Sequence, residues 1–333
     1  MADGEDESSD SGDDDVEPAV QSVLTANEFL ELGLSVWYTP GRLRTLRTRK
    51  SRIARFKEYY GCRPSLCAEL WEDLQCTKVA EARLDNDPDH LNPRHFLMAL
   101  HTLKRYPTDN EREGPWNMNK HAARNLVWYF LRKIQALKAE VIVWPESWGD
   151  DIWIITVDGT HCWITEPMHP DWSQDKSFYS HKYNKAGVNY ELGVAIAVPR
   201  LVWMNGPFKA GKSDVKIFRG QGLKERLAQI KKKAIGDRGY NGHPKEVSTF
   251  NAHDTRGVRK FKSRALKRHE NFNNMTKRFD CLSGRFRHGV EQFATCFEAI
   301  CVICQYQMED DMPLYDVLIE DIMDEDKYET RSV

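Results

Sequence analysis

The sequence predicts a mixed α/β protein: an N-terminal helical domain followed by a mixed sheet covered by helices. Three observations predict this. Apolar residues recur at helical spacing between residues 25 and 140; in "SLCAELWEDL", Leu66, Cys67, Leu70, Trp71 and Leu74 share one face. From residue 150 the period changes to short apolar runs rich in β-branched and aromatic residues: "IWIITVDGT", "NYELGVAIAV" and "RLVWMNGPF". Helical spacing then returns in "GLKERLAQIKKK" and "RFRHGVEQFATCFEAICVIC".

Taken in order, residues 1–18 carry nine acidic groups and no basic one, so residues 1–22 read as an acidic disordered tail. Thr25 and Glu28 fit a capping box that opens the first helix of a domain spanning 23–148. Residues 42–57, "RLRTLRTRKSRIARFK", hold eight Arg or Lys and no acid, which suits a phosphate-contacting arm, a nuclear-import signal or a solvated helix face. Asn92-Pro93 caps "RHFLMALHTLKRY", and "KHAARNLVWYFLRKIQALKAE" reads as a long helix after a polar stretch. Helix-turn-helix DNA binding and a plain packing bundle both fit this domain. The sheet domain spans 149–308. In it "KAIGDRGY" is a fourth strand, 241–280 a polar basic connection, and Val290, Phe293, Ala294, Phe297, Ile300, Cys301 and Cys304 the apolar stripe of the last helix. Residues 309–333 read as a second acidic tail, expected to be mobile.

No apolar run reaches the length of a membrane span, and the acidic N-terminus is the opposite of a signal peptide's. Eight cysteines are too sparse for a disulfide scaffold and read as buried thiols of an intracellular protein; Cys301 and Cys304 leave a zinc site as the alternative. The net charge of −2 hides a segregation. The 1–18 and 309–333 segments hold 19 of the 50 acids and two of the 48 bases, leaving 31 against 46, so the body is about +15. That balance suits a protein that handles a polyanion.

Three acids stand out by position. Asp158 ends the first strand, Asp237 the fourth, and Glu291 lies beside the stripe of the last helix; Asp214, in "FKAGKSDVKIF", is a fourth candidate. Carboxylates gathered at such places repel one another unless divalent cations bind between them, and hard oxygen ligands select Mg²⁺ or Mn²⁺. Alone, each has a plainer reading as a turn aspartate or a solvated helix edge.

The motifs "VDGTH" (157–161), "YNKAGVNYELGVAI" (183–196), "AGKSDVKIFR" (210–219), "IGDRGYNG" (235–242) and "GRFRHGVEQF" (284–293) follow one another over some 135 residues. In that order they resemble the DDE transposases of the PIF/Harbinger type, with their ribonuclease-H-like nuclease domain. The resemblance implies an enzyme that hydrolyses phosphodiesters at transposon ends and joins the freed 3′ hydroxyl to target DNA. By position it implies Asp158, Asp237 and Glu291 as catalytic residues, with Asp214 a further ligand to two divalent ions and the alternative to Asp237 as the second aspartate of the triad. It also implies a eukaryotic nucleus, a homo-oligomer and a Myb-like DNA-binding partner. Ser213, Val215 and Gln292 depart from the family's usual His, Ser and Arg, and no Lys stands near Glu298 and Ala299. A host-adopted DNA-binding protein with impaired chemistry is therefore the alternative, and a structure-specific or RNA nuclease a third.

Residues 209–287 carry 22 Arg or Lys against seven acids. The expected contacts to double-stranded DNA are Arg49, Lys50, Lys231, Lys232, Lys233, Arg259, Lys260, Lys262, Arg285 and Arg287. Trp163 and Tyr240 are candidates for stacking on unpaired bases or, more plainly, for core packing.

Overall fold

The computed structural model describes residues 24–76, 91–168 and 175–318, so the expected N-terminal acidic tail lies outside the described residues. The helical part comprises α1 (Ala26–Ser35), α2 (Pro40–Leu43), α3 (Arg49–Tyr60), α4 (Pro64–Cys76), α5 (Pro93–Arg105), α6 (Asp109–Trp116), α7 (Lys120–Ala136) and α8 (Lys138–Val141). The capping box at α1 forms as the sequence predicts, with the Thr25 side chain accepting from the Glu28 amide. Asn92 caps α5 in the same way.

The sheet contains β1 (Trp153–Trp163), β2 (Tyr179–Ser180), β3 (Lys185–Ala195), β4 (Leu201–Lys209), β5 (Lys233–Gly236) and β6 (Val247–Ser248). β1 lies at its centre, antiparallel to β3 on one side and parallel to β5 on the other, with β6 beyond β5 and both β2 and β4 pairing with β3. This open mixed sheet is consistent with a ribonuclease-H-like core. α9 (Asp214–Gly220) and α10 (Leu223–Ile230) follow β4. After β6 come α11 (Arg256–Thr276), α12 (Asp280–Ser283) and α13 (Val290–Glu309). Among the described residues no helix is long and apolar enough to cross a membrane.

One expectation fails here. The stretch 241–280, read as a basic connection, folds largely into the 21-residue α11. Its core contacts at Phe261, Ala265, Phe272 and Met275 have helical spacing, but the seven Arg and Lys of the same helix mask the pattern. Two of those cations, Lys262 and Arg268, are themselves buried, their aliphatic stems serving as core.

α13 runs through the middle of the molecule. It is buried from Phe297 to Met308, not along one stripe alone, and each polar residue in that run anchors a different neighbour. Glu298 accepts from Gln135 (3.0 Å), Lys138 (2.6 Å) and the Tyr190 hydroxyl (3.3 Å). Gln305 accepts from the Leu201 amide at 2.8 Å, and Gln307 donates to the Gly61 carbonyl at 2.8 Å. The helical part and one face of the sheet thus share a single apolar core. Glu298→Ala strands the Tyr190 hydroxyl and loses the Lys138 ion pair. The expected loss is about 1–3 kcal/mol, read as a lower urea midpoint at unchanged slope.

The C-terminal acidic segment begins on the body of the protein. Asp311 pairs with Lys57 (3.1 Å) and Arg63 (2.5 Å), and Leu314 and Val317 are buried. Residues beyond 318 lie outside the described ones.

Candidate active site

Two parallel strands create the site. β1 and β5 pair through Val157 and Gly236, and the next residue of each is an aspartate, Asp158 and Asp237. Neighbouring strands lie about 4.8 Å apart, so this register sets two carboxylates side by side. A third arrives from β4, whose chain turns back over β1 and enters α9 at Asp214, its first residue. An ideal Cβ at Gly159 would overlap the Asp214 Oδ1, and one at Gly239 would come within 2.8 Å of the Asp237 Oδ1 and 3.8 Å of the Asp214 Oδ2. The two glycines are the clearance through which the three acids approach.

Two of the carboxylates are held by the backbone next to them. Asp158 Oδ1 accepts from the Gly159 N–H at 2.8 Å, and an Asp237 oxygen accepts from the Gly239 N–H at 2.7 Å. Asn273 of α11 donates to Asp158 Oδ2 at 3.4 Å while accepting from the Thr160 hydroxyl at 2.7 Å, which fixes which end of the amide faces the acid. One turn earlier His269 meets the Thr156 hydroxyl at 2.9 Å. α11 is therefore the helix clamped along β1.

The electrostatics match the crowding. Burial, then the charges of Asp237 and Asp214, push the Asp158 carboxyl up to about 6, against the pull of the Gly159 amide and Lys182. Burial, helped by Asp237, raises Asp214 as well. Lys182, in the turn between β2 and β3, supplies the opposing charge. Burial lowers its pKa, but Tyr183, Asp214 and Asp237 outweigh that and leave it above the usual lysine value. Behind Asp214, Glu191 is buried with one oxygen on the Trp203 indole N–H at 3.1 Å and the other without a partner. Burial pushes it up to about 7.

Of the acids expected here, Asp158, Asp214 and Asp237 converge, whereas Glu291 is not brought to them. It is exposed in the first turn of α13. Seven residues further on, and so on nearly the same helix face, Glu298 points to Gln135 and Lys138 of the helical part. α11 has one acid, Glu270, three residues before Asn273 and about 4.5 Å along the helix axis from it. Glu270 is exposed and its charge is felt at Tyr315. Reading 241–280 as a connection hid it, along with Asn273; the spacing of Phe261, Ala265 and Phe272 was the signal.

The expected DNA contacts divide. Lys262 is a correction: it is buried, bonded to Asp254 (2.8 Å) and the Thr249 carbonyl (2.8 Å), because it falls on the inward face of α11. Lys232, Lys233, Arg259 and Arg287 each donate to backbone carbonyls, which ties them into the structure. Arg49, Lys50, Lys231 and Lys260 are exposed, and Arg285 lies 5.9 Å from the centre of the Trp163 ring. Tyr240 is core, edge-on to Phe218, and cannot stack on a base; Trp163 is partly exposed.

The donor set is three carboxylates, hard ligands that fit a divalent ion such as Mg²⁺ or Mn²⁺. Among the described residues, however, no three His, Cys, Asp or Glu side chains stand in an arrangement ready to hold an ion. The charges of the three aspartates nevertheless act on one another. The cysteines described as free and buried, Cys301 and Cys304 included, form no such group either.

Neither curated proteins nor solved structures yield a match to this chain. Residues 157–305 match the family model described as DDE superfamily endonuclease, and this match supports a DDE-type transposase family for the segment that carries all three aspartates.

Proposed function

We propose that the protein is a metal-dependent DNA nuclease of the transposase kind, which cleaves phosphodiesters at transposon ends and joins the 3′ ends to target DNA. The convergence of Asp158, Asp214 and Asp237 at the rim of the sheet, inside a basic body, carries this reading. These three would hold Mg²⁺ or Mn²⁺, two ions in this reading, which supply Lewis-acid polarisation of the phosphate and of the attacking oxygen when bound. The chain's own groups do the rest. Gly159 N–H and the Asn273 amide orient Asp158, and Gly239 N–H orients Asp237. Lys182 brings positive charge to the oxygens of the reacting phosphate. Within α11, Glu270 is the acid placed to complete the site by a side-chain movement, in place of Glu291.

The resemblance to PIF/Harbinger transposases extends this to a nuclear protein that works as a homo-oligomer on double-stranded DNA with a Myb-like partner. A second reading, favoured by the departures at Ser213, Val215 and Gln292, is a host-adopted, catalytically impaired DNA-binding protein. Calorimetric titration with Mn²⁺ and cleavage of labelled duplex separate the two. The nuclease reading expects binding that Asp214→Asn weakens more than tenfold and Glu291→Gln changes less than twofold, with Mn²⁺-dependent cleavage. DNA binding with neither Mn²⁺ uptake nor cleavage supports the second reading instead.

A further inference from the structure

A cleft of about 650 Å³ opens beside the aspartates and is lined by Lys176, Tyr179, Phe208, Lys209, Lys212 and Lys216. None of these lysines was singled out by the sequence. Two chain segments join the cleft to the acid site. Lys212 and Lys216 bracket Asp214 in the chain, and the backbone that places Tyr179 in the cleft continues within three residues to Lys182. The Gly211 amide donates to the Ser177 carbonyl at 3.0 Å and binds the two walls together.

Two of the four ammonium groups lie over rings. Lys212 lies 4.9 Å from the Phe208 ring centre and Lys209 lies 5.1 Å from that of Phe178. Asp175 faces this cluster and pairs with Lys209 at 3.0 Å. Cations interleaved with aromatic faces in a groove are what a single polynucleotide strand requires, since phosphates meet ammonium groups and bases meet rings. The volume suits a ligand the size of a nucleotide or two. Duplex DNA, with a major groove alone about 12 Å across, would lie over the mouth and not enter.

We propose that this cleft seats a single strand of DNA whose neighbouring phosphate lies at the aspartates. Where the strand leads rests on the nuclease reading; that the cleft binds a strand does not.

The test is fluorescence anisotropy in chelator, with 5′-labelled octathymidine and a labelled duplex as probes. Lys176→Gln/Lys216→Gln is expected to weaken octathymidine binding at least tenfold. It should also flatten the slope of log affinity against log salt by about 1.4, at about 0.7 per lost phosphate contact. Asp175→Asn, which keeps a polar cap but frees Lys209, is expected to tighten binding, a gain that misfolding cannot mimic. Lys245→Gln/Lys267→Gln, outside the cleft, is expected to leave octathymidine unchanged. Unchanged slopes in the cleft variants, or equal losses for duplex and single strand, overturn the proposal. A protein that binds octathymidine through the cleft yet never cleaves with Mn²⁺ overturns the nuclease reading and leaves this one standing.

Discussion

Asp158→Asn is expected to abolish Mn²⁺-dependent cleavage while making the metal-free protein more stable at neutral pH. The two effects share one cause. Asp158 is crowded by burial and by two like charges, which push it up to about 6 from an unfolded value near 3.9. A carboxyl whose folded pKa lies above its unfolded one binds its proton more tightly in the native state. Stability therefore falls as pH rises between about 4 and 6 and stays low above that. Two pKa units correspond to about 3 kcal/mol at most, and the amide variant has no charge to repel. At pH 7 to 8 it should melt several degrees above the wild type, and at pH 4 the two should coincide. Added Mn²⁺ should raise the wild type and leave the variant where it was. Loss of rate should reach three orders of magnitude, about 4 kcal/mol of barrier, as for removal of a group that touches the reacting centre. A variant that cleaves normally, or one no more stable than wild type at pH 8, would remove Asp158 from the centre of the site.

Gly159→Ala tests the approach of Asp214. The added methyl would occupy the space of the Asp214 carboxylate, so that side chain must move while the β1–β3 ladder around it stays. Displacing a catalytic group by about 1 Å can cost roughly a hundredfold in rate. Cleavage should fall by that order, with DNA binding in chelator unchanged and the melting temperature lowered only slightly. Gly220→Ala is the matched control: it ends the same helix, and a Cβ there meets nothing. Full activity of Gly159→Ala would mean that Asp214 relaxes freely or stands outside the machinery.

The site was legible in part. Apolar runs that end in Asp, at "ITVDG" and "AIGDRG", located Asp158 and Asp237, because a buried strand leaves its first polar residue at the sheet's rim. Asp214 was visible as an acid after a basic, Gly-containing turn. "VEQF" begins a strongly apolar helix and so points to Glu291, but periodicity shows only which residues share a face and not which neighbour that face meets. The buried Lys262 misled for a related reason: charge is counted along the chain, while burial depends on what packs over it.

The sequence by itself determined the alternation of helix and strand, the excess of positive charge in the body, and all three of the grouped aspartates as candidates. These are local properties, written in spacing and composition. Only the tertiary structure decided which helix lies along β1, which cations remain exposed, and that four lysines meet in one cleft. Such facts depend on long-range packing of α11 and α13 against the sheet, where residues more than a hundred positions apart come within hydrogen-bond reach, as Asn273 does with Asp158 and Thr160.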